Sequence, residues 1–364
     1  MSLLFSETTL GPLKLQNRLV MSPMTRSRAI GNVPNDLMVE YYRQRASAGL
    51  IITEGTSPSP NGLGYPRIPG IYSPAQTTGW KDVTDAVHTR GAKIFIQFMH
   101  TGRVGHPLNL PAGAKVVGPS AVSAAGEMFT DAEGMKPNAA PAAMTEADIK
   151  TAIDEFAQAA KNAVAAGFDG VELHGANGYL LEQFIRPNSN RRTDAYGGSI
   201  EGRARFVLDV AKAVIAAIGK DKVGIRLSPY GLFNDMPTYP EMEADYTYLA
   251  KQLNALGLVY VHLVDHSSMG APAVPQSIKE TFRKEFKRNL ILSGGYDAER
   301  AESDLAAGKC DLIAVGKPFL ANPDLVKRWK AKLAVNAPDM STFYTPGPKG
   351  YTDYPALIRE QALA

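Results

Sequence analysis

The chain has 364 residues, 45% of them hydrophobic, which is ample for a sizeable core, and its 39 Lys and Arg against 36 Asp and Glu leave a formal charge of only +3. With no basic block there is no cationic stripe to neutralise a phosphate backbone, so nucleic acid is not an expected partner. A single cysteine, Cys310, excludes an internal disulfide, a Cys-ligated zinc site and an iron–sulfur cluster, and the absence of a signal-like N-terminus or a bilayer-length apolar run predicts a cytoplasmic protein, a monomer or weak homo-oligomer acting on small molecules away from any membrane.

In chain order, Thr8 to Leu15 reads as a hairpin ahead of the first strand, able to plug the bottom of a barrel. Eight short apolar runs then follow as strands: Arg18 to Met21, Leu50 to Thr53, Lys93 to Gln97, Gly170 to Leu173, Val223 to Leu227, Val259 to Leu263, Leu290 to Ser293 and Leu312 to Val315. Helical patterns alternate with them at Asn35 to Ala48, Gln76 to His88, Glu146 to Ala166, Ile200 to Ile218, Glu241 to Leu256, Pro275 to Phe286, Asp297 to Ala307 and Pro323 to Ala334. Thr145 before Glu146 and Asn322 before Pro323 are start signals, and Gly49, Gly91, Gly167, Gly219 and Gly257 stand where a left-handed residue often ends a helix. Eight strand–helix units predict a single (β/α)8 TIM barrel over residues 1–364. The segment 101–144, rich in Gly, Pro and Ala, is too long for an ordinary connection, and by leaving the end of strand three it is expected to form a lid over the active-site mouth.

The run from Phe168 to Phe184 carries His174, Asn177 and Tyr179 at the C-terminal end of strand four, where a parallel barrel keeps its chemistry. A His and an Asn can grip one substrate oxygen while a phenol offers a proton. After strands seven and eight, Gly294-Gly295 and Gly316-Lys317 suit a phosphate, because glycine lets backbone N–H groups approach its oxygens. Arg226 inside strand five is costly unless something acceptor-rich meets it, and a flat heterocycle would use Arg226 and Gln97 well. An Arg226–Glu172 pair is the alternative, and both could hold. His262 and His266 invite a zinc reading, but no carboxylate set with suitable spacing accompanies them.

The chain resembles the old yellow enzymes, FMN-dependent ene-reductases, in their bacterial, pentaerythritol-tetranitrate-reductase-like branch. The likeness covers nearly the whole sequence: Asn17-Arg18, Ser22-Pro-Met-Thr-Arg26, Tyr41-Tyr-Arg-Gln-Arg-Ala-Ser-Ala-Gly49, His174-Gly-Ala-Asn-Gly-Tyr179, Arg192-Thr-Asp-Ala-Tyr-Gly-Gly-Ser199, Gly224-Ile-Arg-Leu-Ser228, Ala321-Asn-Pro-Asp324 and Gly350-Tyr-Thr-Asp-Tyr-Pro355. The resemblance implies that Pro23, Met24, Thr25 and Gly55 lie beside the flavin. It gives Gln97 the pyrimidine edge, Arg226 the N1 and O2 side, and Gly294, Gly295, Gly316 and Lys317 the phosphate. NADPH or NADH would reduce the flavin. His174 and Asn177 would then hold the oxygen of an enone, enal, maleimide or nitroalkene while flavin N5 gives hydride and Tyr179 a proton, with Tyr65, Met99 and Tyr344 around the substrate. Three residues depart from the pattern: Met99 where Trp is frequent, Lys317 for Arg, and Asn177 for a second His. Reduction of nitroesters or nitro groups, or a non-redox lyase using the phosphate site, are the alternatives.

Overall fold

The computed structural model describes residues 2–357. Eight parallel strands close on themselves: β1 (Leu19–Met21), β2 (Leu50–Thr56), β3 (Lys93–Phe98), β4 (Gly170–Gly175), β5 (Val223–Leu227), β6 (Tyr260–Val264), β7 (Asn289–Ser293) and β8 (Leu312–Val315). The pairing of Ile313 with Leu19 completes the circle, so this is the expected (β/α)8 barrel. No helix among the described residues is long and apolar enough to cross a membrane.

Alternation along each strand divides two cores. Residues such as Ile94, Ile96 and Phe98 on β3 face outward and pack with Phe156, Ala159 and Ala163 of the helix Glu146–Ala165. Val20, Leu50, Ile52, Phe95, Tyr260, Ile291 and Leu312 form a separate cluster at the barrel's lower interior. Leu10 and Leu15 belong to that same cluster. They come from the antiparallel hairpin Thr8–Leu10 and Leu13–Leu15, which therefore plugs the bottom as expected. The large rings fit only because two strands carry glycine beside them. A Cβ on Gly170 would lie 2.3 Å from the Phe95 ring, and one on Gly224 2.3 Å from that of Tyr260.

Several boundaries differ from the sequence reading. The last helix runs Leu325–Lys330 rather than Pro323 to Ala334, and an additional short helix, Lys317–Ala321, precedes it, ending where Asn322 before Pro323 takes extended backbone. The first helix ends at Gln44 rather than Ala48. Gly91, Gly167, Gly219 and Gly257 do take positive φ, but Gly49 does not; it is required because a Cβ there would meet the Asn17 carbonyl oxygen at 2.0 Å. A six-residue helix, Leu180–Ile185, directly after Tyr179 was not foreseen. The segment 101–144 is also more than a loop: Glu127–Thr130 pairs with Gly134–Pro137 as a hairpin, and Val117–Gly118 pairs with Ala142–Ala143.

Candidate active site

At the C-terminal ends of the strands lies a cavity of about 1310 Å³. Strand register builds its floor. Gln97 pairs with Glu172, and two residues further along the strands His174 stands beside Arg226 and Arg226 beside His262, so polar pairs line the barrel mouth at two successive levels. Glu172 and His262, both fully buried, stabilise one another at 2.9 Å, and the Glu172 carboxylate also accepts from Gln97 Nε2 at 2.8 Å and the Tyr260 hydroxyl at 3.1 Å. The other ring nitrogen of His262 bonds Ser293 Oγ at 2.9 Å. Glu172 thus has three partners without Arg226, and the alternative Arg226–Glu172 pair is not formed as a hydrogen bond. The carboxylate still acts on the guanidinium at longer range: burial lowers the Arg226 pKa and Glu172 opposes the change.

The turn after β4 aims the remaining groups. Asn177 adopts φ 59° and Gly178 φ 76°, and their backbone N–H groups donate to Ser228 Oγ (2.9 Å) and Glu182 Oε2 (2.7 Å). Glu182 is itself paired with Arg186 at 2.7 Å, both side chains almost wholly buried, and Asn234 Nδ2 donates to the Asn177 carbonyl at 2.7 Å. This scaffold of Glu182, Arg186, Ser228 and Asn234 was not read from the sequence. It leaves the Asn177 side chain unspent. Tyr179, next in line, donates its hydroxyl to Tyr65 at 3.1 Å, and its ring lies edge-on to His174 with centroids 4.9 Å apart. Burial, followed by the neighbouring Tyr65, raises the Tyr179 pKa well above that of an ordinary phenol, so its proton is retained at neutral pH. Burial, and then Arg226, drives His174 well below the usual imidazole range, so its ring is neutral.

Of the residues expected at the site, the cavity wall includes Pro23, Met24, Thr25, Tyr65, Gln97, Met99, His174, Asn177, Tyr179, Arg226, Gly294, Gly295, Gly316, Lys317 and Tyr344. Gly55 is not in that wall itself; it packs against Met99, which is, and a Cβ at Gly55 would lie 2.5 Å from Met99 Sδ. In the loop after β7, Gly294 takes φ 133°, where a Cβ would come within 2.2 Å of the Asp265 carbonyl oxygen. Arg300 holds that loop from outside, donating Nη1 to the Gly294 carbonyl at 2.8 Å. Lys317 is exposed at the rim. The cavity wall also takes in Met128 and Phe129 from the lid hairpin, Phe233 and Asn234 after β5, and His266 and Met269 after β6. Their one advance signal was position after a strand's C-terminal end; which loop residues turn inward is set by the loop's fold.

The residues present fit FMN. Nε of Arg226, Nδ1 of His174, Oδ1 of Asn177 and Nδ1 of His266 are buried without a protein partner and converge on the cavity, where a polar ligand would complete them. With Gln97 Nε2 committed to Glu172, the Gln97 carbonyl is left to accept from a ring imide N–H. Gly294 and Gly295 give close backbone approach for a phosphate.

Comparison with known proteins agrees with this architecture. The NADH:flavin oxidoreductase / NADH oxidase family matches residues 3–336. The chain is 43% identical to 12-oxophytodienoate reductase 1 of Oryza sativa subsp. japonica over 354 residues, covering 96% of this chain and 91% of that protein. Among solved structures it resembles morphinone reductase with a TM-score of 0.96 and 45% identity, covering 99% and 97% of the two chains. The old yellow enzyme homologue of Zymomonas mobilis follows at 0.93 and 40% identity, covering 97% and 99%. A non-redox lyase is thereby set aside. With its barrel, its glycine loops after β7 and β8 and its unpaired polar groups in place, the chain belongs to the NADH:flavin oxidoreductase / NADH oxidase family, as an old yellow enzyme homologue and an NAD(P)H-dependent FMN oxidoreductase of the alkene-reductase kind.

Proposed function

We propose that this protein reduces the C=C bond of α,β-unsaturated aldehydes, ketones, imides or nitroalkenes, with Tyr179 as the proton donor. The reading is carried by one observation: the His174 and Asn177 side chains border the same cavity as the Tyr179 phenol, and neither is spent on the protein. Bound FMN, reduced by NADPH or NADH, supplies the hydride.

The chain's own residues supply the rest. A neutral His174 donates a ring N–H to the substrate oxygen without the repulsion a second cation would add next to Arg226. The Asn177 amide gives a second donor to that oxygen. Together they draw electron density from the β-carbon and fix the alkene's orientation. Tyr179 holds its proton because ionisation in this buried position is unfavourable, and releases it only to a carbon that has gained negative charge. Arg226 keeps its guanidinium charged and places it where an anionic reduced ring would be stabilised. The Met128 and Phe129 lid exclude water from the reacting face.

Purified protein should be yellow, bleach anaerobically with NADPH and recolour on addition of 2-cyclohexenone. Bleaching followed by no recolouring with any enone or nitroalkene would contradict the proposed substrate classes.

A further inference from the structure

Glu172 does not border the cavity; Gln97, its neighbour on the next strand, does. The two oxygens of this fully buried carboxylate have separate partners. Oε1 faces Gln97 Nε2 at 2.8 Å, while Oε2 takes both the Tyr260 hydroxyl at 3.1 Å and His262 Nδ1 at 2.9 Å. Tyr260 reaches Glu172 because Gly224, which lies between them in the sheet, has no side chain: a Cβ there would stand 2.3 Å from the phenol ring. A carboxylate offers acceptors only, so the end of the Gln97 amide that meets it is the NH2, and the carbonyl is turned towards the cavity. Glutamine by itself has no such preference, since the two ends of its amide have nearly the same shape.

We propose that Glu172 is a positioning residue that sets the hydrogen-bonding sense of Gln97, so that the cofactor pocket presents an acceptor and selects a flavin by its ring imide N–H. The inference rests on FMN as the cofactor and not on which alkene is reduced. Its sharpest consequence follows from exchanging one oxygen of Glu172 for NH2. Among the described residues the Tyr260 hydroxyl has no other acceptor, so with glutamine at position 172 it and the His262 Nδ1–H hold the new amide oxygen where Oε2 stood. The NH2 then takes the place of Oε1, and only the Gln97 carbonyl can meet it. A substitution outside the cavity thereby turns the Gln97 amide over and puts a donor where the acceptor was.

The test compares the full-length wild-type, Glu172→Gln and Glu172→Gln/Gln97→Glu proteins. Calorimetry reads the affinity of each flavin-free protein for FMN and for 3-deaza-FMN, which keeps the ring's shape but has C–H in place of the imide N–H. NMR of bound, isotope-labelled FMN reads the hydrogen bond made by the proton on N3. Wild type prefers FMN about tenfold, the effect of a buried acceptor that the analogue leaves unpaired, and the N3 proton is shifted downfield. Glu172→Gln loses both the preference and the downfield shift. The double variant regains both, because the carboxylate moved to position 97 accepts from the amide at 172 and from the ring N–H. An indifferent wild type, a preference retained in Glu172→Gln, or a double variant that fails to regain it would each overturn the proposal. Where Glu172→Gln does not fold, the double variant decides by the same two readouts. No turnover is involved, so a wild-type protein inactive on alkenes would count against alkene reduction and leave the role of Glu172 to be decided by flavin binding.

Discussion

The two ends of the barrel are built from the same strands and follow opposite rules. At the bottom, Val20, Leu50, Ile52, Phe95 and Tyr260 close on the hairpin residues Leu10 and Leu15, all fully or almost fully buried. At the top, a few residues further along, His174, Asn177, Arg226 and His266 keep buried polar atoms without partners. A close-packed apolar layer lowers the free energy of folding with every contact; an unpaired polar layer raises it and is tolerated because a ligand can complete it. A single strand such as β3 thus contributes Phe95 to stability and Gln97 to function within two residues.

That contrast is sharpened by substitutions that act on one end only. The largest effect is expected from Tyr179→Phe, which should slow alkene reduction by about a hundred- to ten-thousandfold while flavin reduction by NADPH continues, because only the alkene half-reaction needs the phenolic proton. Stopped-flow measurement of the two half-reactions checks this; an equal loss in both would sink the assignment. At the other end, Phe95→Ala should cost about 3–5 kcal/mol of stability by leaving a cavity against Gly170 and Tyr260. Denaturant unfolding measures it, and the folded variant should still bind FMN. A smaller effect concerns pH. Burial, with Arg226, lowers His266 from 6.5 to about 4. The unfolded chain therefore takes up this proton first as pH falls, so the contribution is present above pH 6.5 and is lost progressively towards pH 4, by up to about 3 kcal/mol. His266→Gln should lose less stability over that window; parallel pH–stability curves for the two proteins would contradict it.

Much of the fold was legible because period and punctuation agree. Ile200–Ile218, Val223–Leu227 and Leu312–Val315 fall where the apolar pattern places them, and the capping box of Thr145 with Asp148 starts its helix as expected. The site was legible wherever position along a strand decides which way a side chain faces, as for Gln97, His174 and Arg226. The register shift between Ile52 and Gly55 in β2 is the place where that rule breaks. The lid hairpin escaped notice since four-residue strands such as Glu127–Thr130 carry too little periodicity to separate from a loop. Arg226 was open between a flat heterocycle and Glu172 in the sequence, and only the packing of Gln97, Tyr260 and His262 around Glu172 shows why Arg226 is left over.

By itself, the sequence determined the barrel, its hairpin plug and the polar residues at the strand ends, since hydrophobic periodicity and strand position are local properties of the chain. Only the tertiary structure decided which of those polar groups satisfy one another and which remain free for a ligand, because hydrogen-bond partners depend on segments brought together from across the closed sheet.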